Sequence, residues 1–285
     1  MLATVIWGSA FVSQSIGMAH IGPFTFQAVR CLFAAVALLI CAGITDRFKK
    51  DGKTFFSRWK DKRLWKAGVL AGIPLFLACN LQQVALVDVD AGKSGFLTAM
   101  YIIFVPILSL LRGQKLTWQI PVSVVTAVAG LYCLSCVGVT GIALGDLLLL
   151  GCAVMFAVQI MVVDKYAGDT DPLRLNFIQV AVCTLLSATA MAVTEQPTWE
   201  GIGAAMIPLL HAGVLSMGAA YTLQIIGQQS IAPSTASLIM SLESVFAVLF
   251  GWLILSEMLT IWEAIGCVLV FAAVIISQLP AKKHN

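Results

Sequence analysis

Gly113-Gln114-Lys115-Leu116-Thr117 and Ser256-Glu257-Met258-Leu259-Thr260 decide how this chain is read. Each stretch closes one apolar segment and leads into the next, and the two lie 143 positions apart. The same offset pairs Thr98 with Ser241 and Val105 with Val248 inside the preceding segments. Segment-opening prolines also correspond, Pro23 in the first half and Pro172 in the second. The sequence therefore reads as two copies of one unit.

Working outward, apolar runs fall near 2–19, 24–44, 65–87, 92–111, 117–138, 144–164, 172–194, 202–226, 233–255 and 261–279. About 17–25 apolar residues suffice to cross a bilayer as a helix. Turn chemistry separates the runs: Gly22-Pro23, Asp90-Ala91-Gly92, Gly113, Gly138 to Gly141, Asp171-Pro172, Gln196-Pro197 and Ala232-Pro233. Ten crossings give five per copy. Five is odd, so the second copy is inverted relative to the first, and inverted repeats are a transporter architecture with the site near the bilayer midplane. The predicted division is a first repeat at 1–138, a second at 144–279 and a tail at 280–285. The long basic loop 45–64 lies within the first repeat.

Composition requires the bilayer as solvent. The chain is 60% hydrophobic and 11% charged, with a mean hydropathy of +0.95, whereas soluble domains carry about 25% charged residues. If the N-terminus is cytoplasmic, alternate loops and the tail hold 15 of the 17 Lys and Arg residues. The positive-inside rule then places both termini in the cytoplasm. The 45–64 loop reads as an orientation signal; it is short, tied at both ends and lacks a nucleic-acid-binding fold. The eight cysteines scatter through apolar runs. Cys133 and Cys136 have no companion pair, so neither a metal site nor a disulfide framework is expected. Met1 leads straight into apolar sequence with no basic region and no cleavage pattern, so no signal peptide is expected.

An ionisable side chain inside the bilayer is costly unless paired or hydrated, which makes each one a functional candidate. Glu243 lies mid-segment. It fits a proton site, a site for a cationic substrate group, or a carboxyl tying two helices together. Arg30 lies about two turns inside its segment. It fits attraction of a substrate carboxylate, an ion pair or carbonyl clamp between helices, or snorkelling to the interface. His211, alone among apolar residues, reads as a packing residue. Polar residues also recur on single helix faces: Trp7, Phe11 and Gln14; Asn80 and Gln83; Thr98 and Tyr101; Asn176 and Gln179; Tyr221, Gln224 and Gln228. Such faces turn inward, to line a cavity or to bond helix to helix. Ser241 joins them as the repeat partner of Thr98. Gly68 and Gly72 form a GxxxG for close packing, within the monomer or across a homodimer. Asp146, Glu257 and Glu263 read as solvated helix ends, and Asp88 and Asp90 as partners for Lys93.

Four segments resemble the drug/metabolite transporter superfamily, EamA type. They are Trp7-Gly8-Ser9-Ala10-Phe11; Pro23-Phe24-Thr25-Phe26-Gln27-Ala28-Val29-Arg30; Ala232-Pro233-Ser234-Thr235-Ala236-Ser237-Leu238 running to Ser241-Leu242-Glu243-Ser244-Val245-Phe246; and Gly251-Trp252-Leu253-Ile254-Leu255-Ser256-Glu257. Ser244 stands where that pattern often has Pro, and Ser256 where it often has Gly. The resemblance implies an all-α membrane protein of ten transmembrane helices in two inverted five-helix EamA repeats. It also implies an efflux permease for an amino acid or other small metabolite in the cytoplasmic membrane, working without a cofactor.

The expected function is a secondary carrier, with a proton as candidate coupling ion and Glu243 and Arg30 as its charge-coupling residues. A carrier of a lipid-linked or nucleotide-type substrate is the alternative. ATP-driven transport is disfavoured because no Walker A pattern is present. An intramembrane enzyme is disfavoured too: the histidines at 20, 211 and 284 are too dispersed for a zinc site, and no nucleophile motif occurs.

Overall fold

A computed structural model of the chain describes residues 1–49, 52, 54–89, 91–135, 143–255 and 260–279. Its elements are α1 (Leu2–Met18), α2 (Pro23–Phe48), a 3-10 turn (Phe56–Trp59), α3 (Lys62–Ala85), α4 (Ala91–Thr98), α5 (Tyr101–Leu111), α6 (Gln119–Ser135) and α7 (Leu144–Ala167). They continue with α8 (Pro172–Thr194), α9 (Trp199–Ala204), α10 (Met206–Leu210), a π-helical stretch (His211–Ala220), α11 (Tyr221–Gln228), α12 (Pro233–Met240), α13 (Leu242–Leu255) and α14 (Ile261–Ser277). The described residues form an all-helical bundle. Ser256, Glu257, Asp90, the turn Gly138 to Gly141 and the tail lie outside them.

Among the described residues seven rods are long and apolar enough to cross a membrane: Pro23–Phe48, Lys62–Ala85, Lys93–Leu111, Leu144–Ala167, Pro172–Thr194, Met206–Gln228 and Pro233–Ile254. The other three expected crossings fall on α1, α6 and α14, apolar helices of 17 residues each. Large apolar side chains such as Leu32, Val36, Ile40, Leu185 and Val268 face outward, which is stable only against lipid.

Capping chemistry sets many of the boundaries. Proline occupies the first turn of α2, α8 and α12, where its missing N–H costs nothing. The Asp171 and Asp61 side chains accept from backbone N–H groups at the starts of α8 and α3. Thr260 and Glu263 form a reciprocal capping box on α14, so Glu263 is a half-buried helix-end cap. Gly113 ends α5 with φ +77°, a conformation suited to glycine.

The packing repeats itself between the halves. α3 packs on α7 and α8, and the π stretch with its neighbours packs on α1 and α2. α1 runs along α13, and α7 runs along α4 and α5. α2 pairs with α8, and α6 with α14, each matching its counterpart. Glycines allow the closest approaches. A Cβ on Gly68 would sit 2.5 Å from Ile178 Cβ, and one on Gly72 would sit 2.7 Å from Val182 Cβ, so the GxxxG seats α3 against α8 within the monomer.

Ion pairs fasten one end of the α2–α8 pair, and carboxylate hydrogen bonds fasten the other. At one end Arg174, 1% exposed, pairs with Asp46 and, at 3.0 Å, with Asp171. Its guanidinium lies 5.3 Å from the Trp59 ring centre and 5.8 Å from that of Phe55. Lys49 reaches Asp171 at 2.9 Å, and Arg58 reaches Asp46 at 3.4 Å. The basic stretch therefore does more than carry charge: Phe55, Arg58 and Trp59 pack onto the end of the bundle. At the other end Glu195 accepts from Phe24 N (2.9 Å), Thr25 N (2.8 Å) and Thr25 Oγ1 (2.5 Å), which caps α2 from α8's last turn.

Two expectations about acidic residues are corrected. Lys93 pairs with Asp146 at 2.7 Å, not with Asp88. Asp146 is 5% exposed and also accepts from Ala143 N, so it is a buried, paired cap and not a solvated end. The fold wins because α4 brings Lys93 to Asp146 while the N-cap residue Ala143 of α7 offers it an N–H.

Candidate functional site

Two of the rods are interrupted by a tight turn whose backbone stays in the right-handed helical region, and the interruptions match. The rod 91–111 is interrupted at Ala99 and Met100, and the rod 233–255 at Ser241. The repeat offset carries one break onto the other within a residue. Thr98 and Tyr101 flank the first break, Met240 precedes the second and Glu243 follows it by two residues, and all four line one central cavity. Its free volume is ≈ 50 Å³, room for a few water molecules.

The wall draws on both halves. α1 supplies Trp7, Ala10, Phe11 and Gln14; α2 supplies Arg30; α3 supplies Cys79 and Gln82. α7 supplies Phe156, Gln159 and Ile160, the π stretch Ser216 and Met217, and α11 Tyr221 and Gln224. π-helical segments are rare and often functional, and here one forms part of the cavity wall.

The two charged side chains in this wall have different surroundings. Glu243, 7% exposed, accepts a hydrogen bond from Tyr101 Oη at 2.9 Å. Arg30, 2% exposed, donates from Nε to Gln27 Oε1 and from Nη1 to Gln14 Oε1, both at 2.7 Å. It lies 5.6 Å from the centre of the Phe26 ring and has no carboxylate partner among the described residues. Trp7 meets Tyr221 edge-on with ring centres 5.1 Å apart, and its buried Nε1 has no hydrogen-bond partner. Gln82 donates to Thr98 Oγ1 at 3.1 Å.

An amide chain leads away from the cavity. Gln224 donates to Gln159 Oε1 and Gln228 Oε1, and Gln159 donates to Gln179 Oε1. Gln179 donates to Asn176, whose Nδ2 reaches Met217 O, Gly218 O and Thr222 Oγ1 at 2.8–3.0 Å. Asn176 thus supplies a partner to carbonyls in the π stretch.

Of the residues expected from sequence, Trp7, Phe11, Gln14, Arg30, Thr98, Tyr101, Tyr221, Gln224 and Glu243 line the cavity. Asn80, Gln83, Asn176, Gln179 and Ser241 lie outside that lining. Asn80 donates to Ser187 Oγ at 2.9 Å, and Ser241 Oγ turns back to Leu238 O. Gln83 is fully buried, with neither amide atom hydrogen-bonded. His211 is a packing residue as expected, held between Ser13 (2.9 Å) and Ser9 (3.2 Å). Cys79, Gln82 and Gln159 were missed. Cys79 and Gln82 share an i, i+3 face one residue round from Asn80 and Gln83, and Gln159 is a lone amide in an apolar run.

An all-helical bundle with lipid-facing apolar surface and a polar central cavity defines a multi-pass membrane protein of the transporter type. The chain belongs to the EamA-like transporter family, whose model matches residues 1–136 and 143–279. An uncharacterized transporter of Archaeoglobus fulgidus is 33% identical over 279 residues, spanning 98% of this chain and 84% of the relative. The uncharacterized transporter YoaV of Bacillus subtilis is 23% identical over 293 residues, spanning 99% and 96%. A crystal structure of another protein superposes with a TM-score of 0.78 at 19% identity, covering 99% of this chain and 98% of that one, which shows the shared fold. The chain is therefore a membrane transporter, with a small-molecule substrate and the lipid bilayer as its surroundings.

Proposed function

We propose that this transporter is a secondary carrier that moves an amino acid or related small polar metabolite across the cytoplasmic membrane by alternating access. In this reading ten helices cross the bilayer as two inverted repeats of five, with both termini cytoplasmic. The observation that carries it is the Tyr101–Glu243 contact, which joins the two matched breaks inside the cavity. Broken helices at a repeat interface are where carriers of this architecture bind solute. Amides, hydroxyls and aromatic rings suit a small polar solute. Glu243 is the coupling site, taking up and releasing a proton as the cavity changes sides, and Arg30 supplies the opposing charge.

The test is flux of a panel of amino acids in proteoliposomes with and without a pH gradient, for the native chain and Glu243→Gln. Saturable flux that responds to the gradient and is lost in the variant is expected. No solute movement across the panel overturns the carrier reading, and flux indifferent to pH removes Glu243 as the proton site.

A further inference from the structure

We propose that the Arg30 guanidinium and the Trp7 indole N–H form an anion subsite in the cavity, and that the solute is held there by a carboxylate. This rests on the carrier reading above.

Arg30 is 2% exposed in a span where a charge is costly. Among the described residues its partners are the neutral amides of Gln27 and Gln14 and the Phe26 ring. Two of its five N–H groups are used, and Nη2 has no acceptor. Among the described residues the one carboxylate in the cavity wall, Glu243, is engaged by Tyr101 and makes no ion pair with Arg30. Trp7 adds an independent observation: a buried donor in the same wall with no acceptor. Both residues thus have donor capacity left and lack an anion, and a guanidinium fork matches carboxylate geometry. Gln14 and Gln27 fix the fork in place, since each accepts from it. Trp7 is fixed edge-on against Tyr221, which sets the direction of its N–H. A solute with no anionic group would leave these donors without a charged acceptor.

The experiment is a thermal-shift titration of the detergent-solubilised full chain with free amino acids, each beside its carboxamide and its decarboxylated amine. At least one free acid is expected to raise the midpoint, with its amide and amine needing roughly tenfold more or having no effect. Arg30→Gln removes the preference for the acid, Arg30→Lys keeps part of it, and Trp7→Phe weakens binding several-fold. If Arg30→Gln shows no cooperative transition, the acid-against-amide comparison on the native chain decides, because it needs no variant. Equal binding of acid, amide and amine, or an unchanged acid preference in a folded Arg30→Gln, overturns the subsite. Proteoliposome flux of an amide or amine as fast as its acid overturns the subsite and leaves the carrier standing. A panel with neither shift nor flux overturns both.

Discussion

Tyr101 donates a hydrogen bond to Glu243 Oε1 at 2.9 Å, although the two residues are 142 positions apart. Each stands just beyond the break in its rod, and each faces the central cavity. The pair therefore couples the two halves at the place where both helices are already interrupted. Tyr101→Phe removes the donor and leaves a buried carboxyl unsatisfied, a cost of about 1–3 kcal/mol. Solute flux in proteoliposomes is expected to fall roughly tenfold or more, which corresponds to about 1.4 kcal/mol on the barrier.

Gly68 and Gly72 seat α3 on α8, with Ile178 and Val182 where side chains would go. Overpacking of this kind costs about 1–3 kcal/mol. Gly68→Val is expected to lower the midpoint of thermal unfolding in detergent, while Gly43→Val, at a site with nothing within 4 Å, leaves it nearly unchanged.

Asn176 makes three hydrogen bonds to the π stretch and its neighbour Thr222. Asn176→Leu removes them at similar volume. Loss of stability by about 1–3 kcal/mol is expected, together with weaker solute binding, because Ser216 and Met217 of the same stretch line the cavity. A thermal-shift titration reads both effects.

The Arg174 cluster links α2, α8 and the 45–64 loop. Breaking a buried pair costs about 3–5 kcal/mol because the remaining charge is stranded, so Arg174→Ala is expected to destabilise far more than Lys49→Ala. Asp171 adds a pH signature. Burial pushes its carboxyl up, but the hydrogen bonds and charges of Lys49 and Arg174 outweigh this and hold it below the usual carboxylate range. A depressed folded value stabilises the protein above the unfolded value near 3.9, and the contribution is lost as pH falls through the folded value. The stability gap between the native chain and Asp171→Asn is therefore expected to shrink on acidification below about pH 4, as measured by thermal midpoints.

Much of the fold was legible because its signals are local. Asp171 and Pro172 fix the start of α8, and the expected range 172–194 is the one found. The breaks were not legible: Ala99, Met100 and Ser241 include no glycine or proline to mark them. The π stretch was hidden for a related reason, since its carbonyls are met by Asn176 from a helix 41 and 42 positions away in sequence. In the cavity, polar faces were legible only to within a residue. Asn80 and Gln83 were expected to line it, yet Gln82 does, because one residue turns a helix face by about 100°.

Alternating exposure of one central site is the core of this account, and entrance counterflow tests it directly. Proteoliposomes are preloaded with an unlabelled amino acid that the flux panel identifies, diluted, and given the labelled compound outside. A single site that opens to each side in turn produces a transient accumulation of label above equilibrium, and Glu243→Gln reduces net flux driven by a pH gradient. A monotonic, non-saturable entry with no overshoot would contradict it.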